Sequence, residues 1–326
     1  ATFAGNSEIV VCHLSANATA MIGSTFLGGS SGDGRNNGIL SMNYGDTYRG
    51  EVIVDAQDNI YVASITNSND FPISTGVFQT TYGGGTSDGI VVKMNAALTT
   101  MLWGSYLGGA GEDNSNSLKL NSTGEVYVTG GTNSTTGFPT TTGALHTTNQ
   151  GQNDGYLVRI NPTGTTVMQG TYLGTAGADQ GYFVEIDVTD NPYVLGQGDA
   201  YPTSMGVYVQ AGGNLFVDKL LPDLSASQLS TTLGDATAGL SPTAFLVDVC
   251  GNIYTAAWGN TGNLPTTPNA FQPAGGDDFY LVVLQPNASG LLYATNFGGS
   301  AYLASYGRSN FNRIAIVASG SKSIIF

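Results

Sequence analysis

Two short sequence elements recur together along this chain, and this repeat constrains the fold more than any other feature. The first element is Leu-Gly, or Phe-Gly in its last copy, and it returns at steps of 80, 66, 60 and 64 residues. Its copies begin at Leu27, Leu107, Leu173, Leu233 and Phe297. The second element is an apolar run, found at residues 9–14, 90–94, 156–160, 215–220 and 279–284. Two elements with one shared spacing indicate a single supersecondary unit copied several times.

Each unit contains a β-hairpin pattern between the two elements. Pairs of short β-rich runs surround an Asp/Asn/Gly turn at residues 52–64, 118–130, 184–196 and 245–256. Such turn residues between β-rich runs predict a hairpin. A Phe-Pro or equivalent pair follows each hairpin, as in Phe71-Pro72 and Phe138-Pro139, and proline argues against a central strand there. The unit is therefore predicted to hold four antiparallel strands and one long connection.

The predicted fold class is all-β, a β-propeller of four-stranded antiparallel blades with about five repeats visible. Four-stranded units repeated around an axis are the propeller architecture. A β-helix has a much shorter period, and a helical solenoid needs a 3.6-residue periodicity that this chain lacks. The composition agrees, with Gly 47, Tyr 17 and Phe 13, because aromatic residues favour strands.

The domain organisation follows from the repeat: residues 1–326 form a single propeller domain or a propeller fragment. We expect a half-blade at 7–29, blades at about 51–109, 117–175, 183–235 and 244–299, and a C-terminal half-blade at 300–326. If residues 312–319 supply the strands that the first half-blade lacks, the ring closes with five blades. The alternative is an open fragment of a larger ring. The chain begins at Ala1 without a signal-peptide pattern, which is typical of a processed or excised part of a longer protein.

Charge and hydropathy exclude several partners. The net charge is −14, from 23 acidic and 9 basic residues, and nucleic-acid binding needs clustered Lys and Arg. No apolar run reaches the roughly 18 residues that a membrane-spanning helix needs, so the chain is not expected to span a membrane. Cys12 and Cys250 lie in distant repeats. We expect both to be small buried hydrophobes, with one disulfide as the alternative.

Three motifs that recur in register resemble a known family. They are Ser-Tyr-Leu-Gly-Gly at 105–109, Gly-Glu-Val-Tyr-Val-Thr-Gly at 124–130 and Phe-Pro-Thr-Thr at 138–141. Together they resemble the bacterial seven-bladed β-propeller repeat (SBBP) family, over residues 7 to 300. Residues 242–248, 264–272 and 278–284 also resemble large surface proteins of Bacteroidota. The resemblance implies a secreted, cell-surface protein exported by the type 9 secretion system. The chain departs from the family after Ala301, where a Cys-containing hairpin would be expected.

The residue census gives little sign of catalytic chemistry. Only two histidines are present, His13 and His146, and neither position is repeated in the other units, so structural roles are favoured over a catalytic triad. Two His and two Cys scattered over different repeats give no zinc-ligand spacing. The arginines show no repeated placement such as a sialidase-like carboxylate cluster would need. We therefore predict that the chain is not an enzyme and has no cofactor, apart from calcium.

Calcium is the one metal that the sequence leaves open. Residues 108–113 spell the Gly-Gly-x-Gly-x-Asp of calcium β-rolls, which makes Glu112 and Asp113 candidate ligands. Related stretches add Asp33 and Asp179 to the candidates. A β-roll repeats this motif every nine residues, whereas these stretches lie 66 to 80 residues apart. Only a single-loop site survives. Asp55, Asp187 and Asp248 recur before the hairpin turns, where capping the turn is the alternative to binding calcium.

The first repeat carries an insert, residues 30–50, that concentrates polar and aromatic side chains. Arg35, Tyr44, Tyr48 and Arg49 lie in it and are the candidate ligand contacts, because Arg and Tyr are favoured in interfaces and aromatic rings stack on sugars. Insertions in repeat proteins map to loops on one face, which is often the binding face. The alternative is a loop whose tyrosines pack on their own blade.

The predicted function is a non-enzymatic, secreted cell-surface module for binding, adhesion or spacing. Its partners would be a protein or glycan on a cell surface, or neighbouring domains of a larger surface protein, and the resemblance links it to gliding motility. Variable loops on a rigid ring suit such a role. One alternative is a propeller hydrolase or lyase that acts on polysaccharide. A cluster of carboxylates or arginines at the central opening would favour it, and the residue census gives none. The other is a purely architectural subunit of a surface assembly.

Overall fold

The computed structural model describes residues 3–43 and 45–299, and these residues form antiparallel sheets in chain order. A two-stranded sheet comes first and four four-stranded sheets follow. The strands of the first two sheets are β1 (Ile9–Leu14), β2 (Met21–Leu27), β3 (Glu51–Val54), β4 (Ile60–Thr66), β5 (Asp88–Met94) and β6 (Met101–Leu107). The third and fourth sheets hold β7 (Asp113–Leu120), β8 (Val126–Thr132), β9 (Asp154–Ile160), β10 (Val167–Leu173), β11 (Gln180–Ile186), β12 (Pro192–Gln197), β13 (Leu215–Leu220) and β14 (Ser227–Leu233).

The last sheet holds β15 (Ser241–Val247), β16 (Ile253–Asn260), β17 (Asp277–Leu284) and β18 (Leu291–Phe297). The only helical segments in the described residues are single 3₁₀ turns at Asp46–Tyr48 and Pro286–Ala288. The prediction of an all-β propeller with four-stranded antiparallel blades is confirmed. The predicted C-terminal half-blade, residues 300–326, lies outside the described residues, and a seven-bladed ring stays a prediction.

The first strand of each complete blade is the innermost one. β3, β7, β11 and β15 are edge strands of their sheets, each paired only with the second strand of its own blade. They contact one another in succession, β3 with β7, β7 with β11, and β11 with β15. They therefore surround a central channel. We call its two ends the insert end, where these strands begin, and the hairpin end, where they turn into the second strands.

The core lies between the blades. Side chains of neighbouring blades share one buried cluster, which holds Tyr61 and Val91 of one blade and Leu118 and Val158 of the next. The third strands β5, β9 and β13 are buried on both faces, with residues 90–92 fully inaccessible. Burying such a side chain stabilises the fold by about 1.5–3 kcal/mol. This explains why the second sequence element is a continuous apolar run rather than an alternating one.

An acidic or amide side chain caps the hairpin turn of each complete blade. Asp55 Oδ1 accepts the N–H groups of Gln57 and Asn59 at 2.9 and 2.8 Å. Lys93 reaches Asp55 Oδ2 at 3.3 Å and lies 4.8 Å from the ring centre of Tyr61. The same cap recurs at Asp187 and Asp248, and at Asn121 in the third sheet. The hydrogen bonds therefore favour the turn-capping interpretation of these positions.

The two cysteines and the absence of an apolar spanning segment were the subjects of two predictions from the sequence. Cys12 and Cys250 are both free and exposed, so the expectation that both are buried is wrong. Cys12 lies on β1 of the two-stranded sheet, and Cys250 lies in a hairpin turn, where a side chain projects into solvent. No helix in the described part of the chain is long and apolar enough to cross a membrane.

Candidate active site in the central channel

Three charged side chains from three neighbouring innermost strands meet at the channel. Glu51 begins β3, Lys119 lies in β7 and Glu185 lies in β11. Lys119 Nζ lies 3.1 Å from Glu185 Oε1, with the Lys119 side chain 31% exposed and that of Glu185 14% exposed. The three residues, called here the channel cluster, are therefore largely shielded but reachable by solvent.

Hydrogen bonds fix the second carboxylate of this cluster. Glu51 Oε2 accepts the hydroxyl of Ser117 and, at 3.0 Å, the backbone N–H of Leu118. The Ser117 hydroxyl oxygen in turn accepts the N–H of Val184 at 3.1 Å. This chain of contacts ties β3, β7 and β11 together. Because both hydrogen bonds use Oε2, Oε1 is the oxygen of Glu51 that can act on another molecule.

The electrostatics give the two ionisable partners of the ion pair opposite roles. Burial raises the pKa of Glu185 to about 7, and the Glu51 charge adds to this, although Lys119 opposes it. Burial disfavours the charge of Lys119, yet its pKa is raised by Glu185 and Glu51. Near neutral pH, Glu185 therefore exchanges a proton readily while Lys119 stays charged. A carboxyl group with such a pKa is typical of a general acid.

The census of the sequence missed this cluster, and its conclusion that no carboxylates gather at the central opening is wrong. Lys119 and Glu185 pair with Tyr127 and Tyr193, so they hold equivalent positions in their blades. At this position the other complete blades carry Ile53 and Leu246. A charged residue between two apolar ones in an innermost strand was the available signal. The ring then brings together residues that are 66 positions apart.

The insert closes the channel next to this cluster. Tyr182 donates its hydroxyl to Asp46 Oδ2 at 2.9 Å, and Asn43 Nδ2 donates to that hydroxyl at 2.7 Å. The Arg49 guanidinium lies 3.1 Å from Asp46 Oδ1 and 4.4 Å from the Tyr182 ring centre, and it donates to the Pro242 carbonyl at 3.2 Å. We call Asn43, Asp46, Arg49 and Tyr182 the plug. It joins the insert to the fourth and fifth sheets.

The structure separates the four predicted ligand contacts of the insert. Arg35 and Tyr48 are exposed and lie 6.0 Å apart as a cation over a ring. Arg49 is only 9% exposed and is engaged inside the plug. Tyr44 lies outside the described residues. The insert thus divides into an outer part, for which ligand contact stays a prediction, and an inner part that packs on the channel.

The candidate calcium ligands lie at successive junctions between sheets. Asp33 and Asp113 each accept, at 2.8 Å, the N–H of the second glycine of a Leu-Gly-Gly element, and Asp179 caps Thr175. Glu112 instead accepts hydrogen bonds from the insert and from Thr86. Within residues 3–43 and 45–299, no three His, Cys, Asp or Glu side chains are grouped so as to hold a metal. Calcium binding stays a prediction.

Two of these junctions contain a second buried carboxylate. A Cβ added to Gly108 would lie 2.7 Å from Asp88 Oδ1 and 2.9 Å from Asp113 Oδ2, so the two carboxylates face each other across this glycine. Asp154 and Gly174 repeat the arrangement beside Asp179. Asp88 Oδ1 and Asp154 Oδ1 are buried without a hydrogen-bond partner. Burial raises the pKa of Asp88 and of Asp154 to about 7.

The chain was compared with known proteins. Neither a protein-family model nor a curated protein matches it, so the SBBP resemblance stays a prediction. Similar solved structures include a thermostable family-43 glycoside hydrolase, with 11% identity over 77% of this chain and 72% of that chain and a TM-score of 0.37. A family-43 arabinoxylan arabinofuranohydrolase from Bacillus subtilis, in complex with cellotetraose, has 12% identity over 81% of this chain and 54% of that chain, with a TM-score of 0.38.

A family-43 β-1,3-galactosidase is similar at 12% identity, over 76% of this chain and 45% of that chain, with a TM-score of 0.36. The chain thus spans about half the length of the last two proteins. The similar structures named are all glycoside hydrolases, and this finding contradicts the prediction that the chain is not an enzyme. At these values the likeness says nothing of a substrate or of individual residues, which have to come from the site itself.

Proposed function

We propose that the chain is a glycoside hydrolase that acts on polysaccharide at the channel cluster, with Glu185 as general acid and Glu51 as the second carboxylate. One observation carries the proposal: Glu185 and Glu51 flank Lys119 in a partly shielded channel, and burial raises the pKa of Glu185 to about 7. Glycoside hydrolysis uses two carboxyl groups on either side of the bond, and the one that acts as acid has a raised pKa. The cluster supplies two carboxyl groups, and that of Glu185 has the pKa that the acid needs.

The reaction follows from the two carboxyl groups and from the raised pKa of Glu185. Protonated Glu185 gives its proton to the glycosidic oxygen while the bond from that oxygen to the sugar carbon breaks, and the leaving sugar keeps the electron pair. Glu51 Oε1 either attacks the sugar carbon or takes a proton from the water that attacks it. Lys119 holds Glu185 at 3.1 Å and stabilises its carboxylate after the proton has left. Glu51 is held by Ser117 and Leu118.

A polysaccharide lyase is the less favoured of the two enzyme classes. A lyase needs a base that removes a proton from carbon, and within the cluster the only amine is Lys119. Its pKa is raised by Glu185 and Glu51 despite burial, so a neutral amine is rare at neutral pH. A hydrolase needs only the carboxyl pair. The raised pKa of Lys119 thus favours hydrolysis.

A secreted, cell-surface location and a glycan partner fit this proposal. The resemblance implies the location, a glycan is one of the partners expected from the sequence, and a hydrolase of polysaccharide meets its substrate outside the cell. The low share of charged residues, 10%, and the net charge of −14 suit an uncharged glycan better than a polyanion, which the protein would repel.

The experiment compares three glutamate variants of the full chain on arabinoxylan, β-1,3-galactan and cellotetraose, with release of reducing sugar as the readout. We expect Glu185→Gln and Glu51→Gln to lower kcat by about 10²–10⁴-fold. Glu125→Gln is the matched control. The Glu125 side chain is 13% exposed, close to the 14% of Glu185, and it is also paired with a cation, since it lies 2.7 Å from Arg159. Glu125 lies outside the channel cluster.

Aryl glycosides with a good leaving group separate the two roles. Such a substrate needs no proton on its leaving oxygen, so Glu185→Gln should recover most of its rate, whereas Glu51→Gln should not. Folded Glu185→Gln and Glu51→Gln proteins that hydrolyse polysaccharide at the wild-type rate would contradict the proposal. So would a wild-type chain that hydrolyses none of the three glycans and no aryl glycoside.

A further inference from the structure

We infer that the plug makes the proposed active site a blind pocket that accepts the end of a glycan chain and releases one sugar at a time. This inference rests on the proposed function and adds the substrate class to it. Four observations carry it: the span of the plug, the burial of the plug, the side from which solvent reaches the cluster, and the depth between plug and cluster.

The plug spans the channel at its insert end. Arg49, two residues before β3, reaches the Pro242 carbonyl in β15, the innermost strand of the last complete blade. Asn43 reaches Tyr182 in β11 and also Gln197 in β12. The insert therefore runs from the start of β3 to two other innermost strands, β11 and β15, which neighbour each other. A glycan chain that passed through the ring would have to displace these contacts.

Burial shows that the closed end is packed rather than wet. Tyr182 is 0% exposed, Asp46 is 1% exposed and Arg49 is 9% exposed. Arg49 stacks over Tyr182 at 4.4 Å and over Phe183 at 5.6 Å. Asp46 is neutralised by Arg49 and accepts further hydrogen bonds from Tyr182 and from the backbone N–H of Asn43. A buried charge pair with these partners is costly to open.

Solvent reaches the cluster from the other end. The Lys119 side chain is 31% exposed, far more than Asp46, Arg49 and Tyr182 of the plug. Lys119 and Glu185 each lie two residues from the turn residue that caps their hairpin, Asn121 or Asp187. The accessible side of the cluster therefore faces the hairpin end. A substrate enters there and meets the carboxylates before it meets the plug.

The depth beyond Glu185, the proposed acid, sets the product. Phe183, under Arg49, and Glu185 are two residues apart on β11, which corresponds to about 7 Å along a strand. This length is comparable with one sugar residue. The glycosidic bond that reaches Glu185 is therefore the one that joins the terminal sugar to the rest of the chain.

The experiment measures both product size and polymer length during digestion of arabinoxylan and β-1,3-galactan. We expect monosaccharide as the first and main product, while the length distribution of the polymer falls slowly. A rapid fall in polymer length with oligosaccharide products would overturn the inference and leave the proposed function standing. Absence of hydrolysis of either glycan and of aryl glycosides would overturn both.

Variants of the plug test its role separately. Asn43→Ala removes the contacts with Tyr182 and Gln197 and should shift the products toward disaccharides or longer fragments. Asn37→Ala is the control, since Asn37 lies in the same insert but is exposed. An unchanged product profile in folded Asn43→Ala would count against the plug as the floor of the pocket.

Hydrogen exchange gives a readout that does not depend on activity. In a closed plug, the amides of residues 45–49 exchange about as slowly as those of β3 and β4, because exchange requires local opening. The amide of Arg49, for example, bonds to the Asp46 carbonyl. Exchange of this peptide as fast as that of an unstructured segment would overturn the blind pocket, whatever the protein hydrolyses.

Discussion

Lys119 Nζ lies 3.1 Å from Glu185 Oε1 on the next innermost strand, at the equivalent position of the next blade. Two copies of one repeat position thus carry opposite charges and meet at the channel. This pairing places a carboxyl with a pKa of about 7 beside a permanent cation. The first two predictions concern this pair.

The rate of hydrolysis should fall as the pH rises through about 7. Glu185 acts as a general acid only while protonated, and burial raises its pKa to about 7. The measurement is kcat against pH on the best glycan substrate. With an aryl glycoside whose leaving group needs no proton, this alkaline limb should disappear. A limb that persists with that substrate would assign the titration to another group.

Lys119→Met should move the alkaline limb of the rate profile to higher pH. Lys119 lowers the pKa of Glu185 against the effect of burial, so its removal leaves the burial effect unopposed. Because Lys119 is 31% exposed, we expect a stability loss of only about 1–2 kcal/mol. Lys93→Met, which breaks the ion pair with Asp55 at a hairpin turn, is the control. It should cost similar stability and leave the limb in place.

Asp88→Asn and Asp154→Asn should stabilise the protein more at pH 8 than at pH 4. The folded-state pKa of each aspartate is raised to about 7, above its ordinary value of 3.8. The contribution of these two groups to the free energy of unfolding of the wild type is therefore fully present below about pH 4. It is lost as the pH rises through 7. Asparagine stays neutral throughout.

The measurement for these variants is the free energy of unfolding in urea at pH 4 and pH 8. The junction between the fourth and fifth sheets already carries an amide in place of this aspartate. There, Asn214 Nδ2 donates to the Leu240 carbonyl at 3.2 Å. Asp277→Asn is the control, because it removes the same formal charge from an exposed site. Equal effects of Asp88→Asn and Asp277→Asn at pH 8 would show that overall charge, not the junction, is responsible. Asp113, Tyr82 and Tyr106 are the titratable groups that face Asp88.

Arg49→Met should destabilise the protein by about 3–5 kcal/mol, because it leaves the buried Asp46 carboxylate without its cation. Asp46→Asn in the same chain should restore part of this loss. The measurement is a double-mutant cycle in urea. If the two losses simply add, Arg49 and Asp46 are not coupled and the plug is held by its other contacts.

The repeat in the sequence was sufficient to predict the blades. The run at 90–94 lies within β5, Asp88–Met94, and the hairpin at 52–64 coincides with β3 and β4. These elements are set by local patterns, namely turn residues and apolar runs buried on both faces. For such features one unit of sequence is enough, and the copies confirm each other.

The site could not be predicted in the same way, because it depends on differences between the copies. Lys119 and Glu185 replace the apolar residues found at Ile53 and Leu246, and Glu51 lies at another position of its unit. A count of residue types does not reveal such departures, because it ignores the position of each residue within its unit. Arg49 was selected for its chemistry, but whether it faces solvent or the channel depends on contacts with Pro242, 193 residues away.

The plug also bears on the order in which the chain folds. Its contacts join residues separated by 139, 154 and 193 positions, whereas each complete blade consists of consecutive strands. Local pairings form early, and distant contacts wait until the entropy of closing the long loops has been met. Asn43 therefore has no place to bind until β11 and β12 have formed, and Arg49 has none until β15 has formed. A protein made from its N-terminus thus carries an open insert until β15 has been made, and the channel is sealed only then.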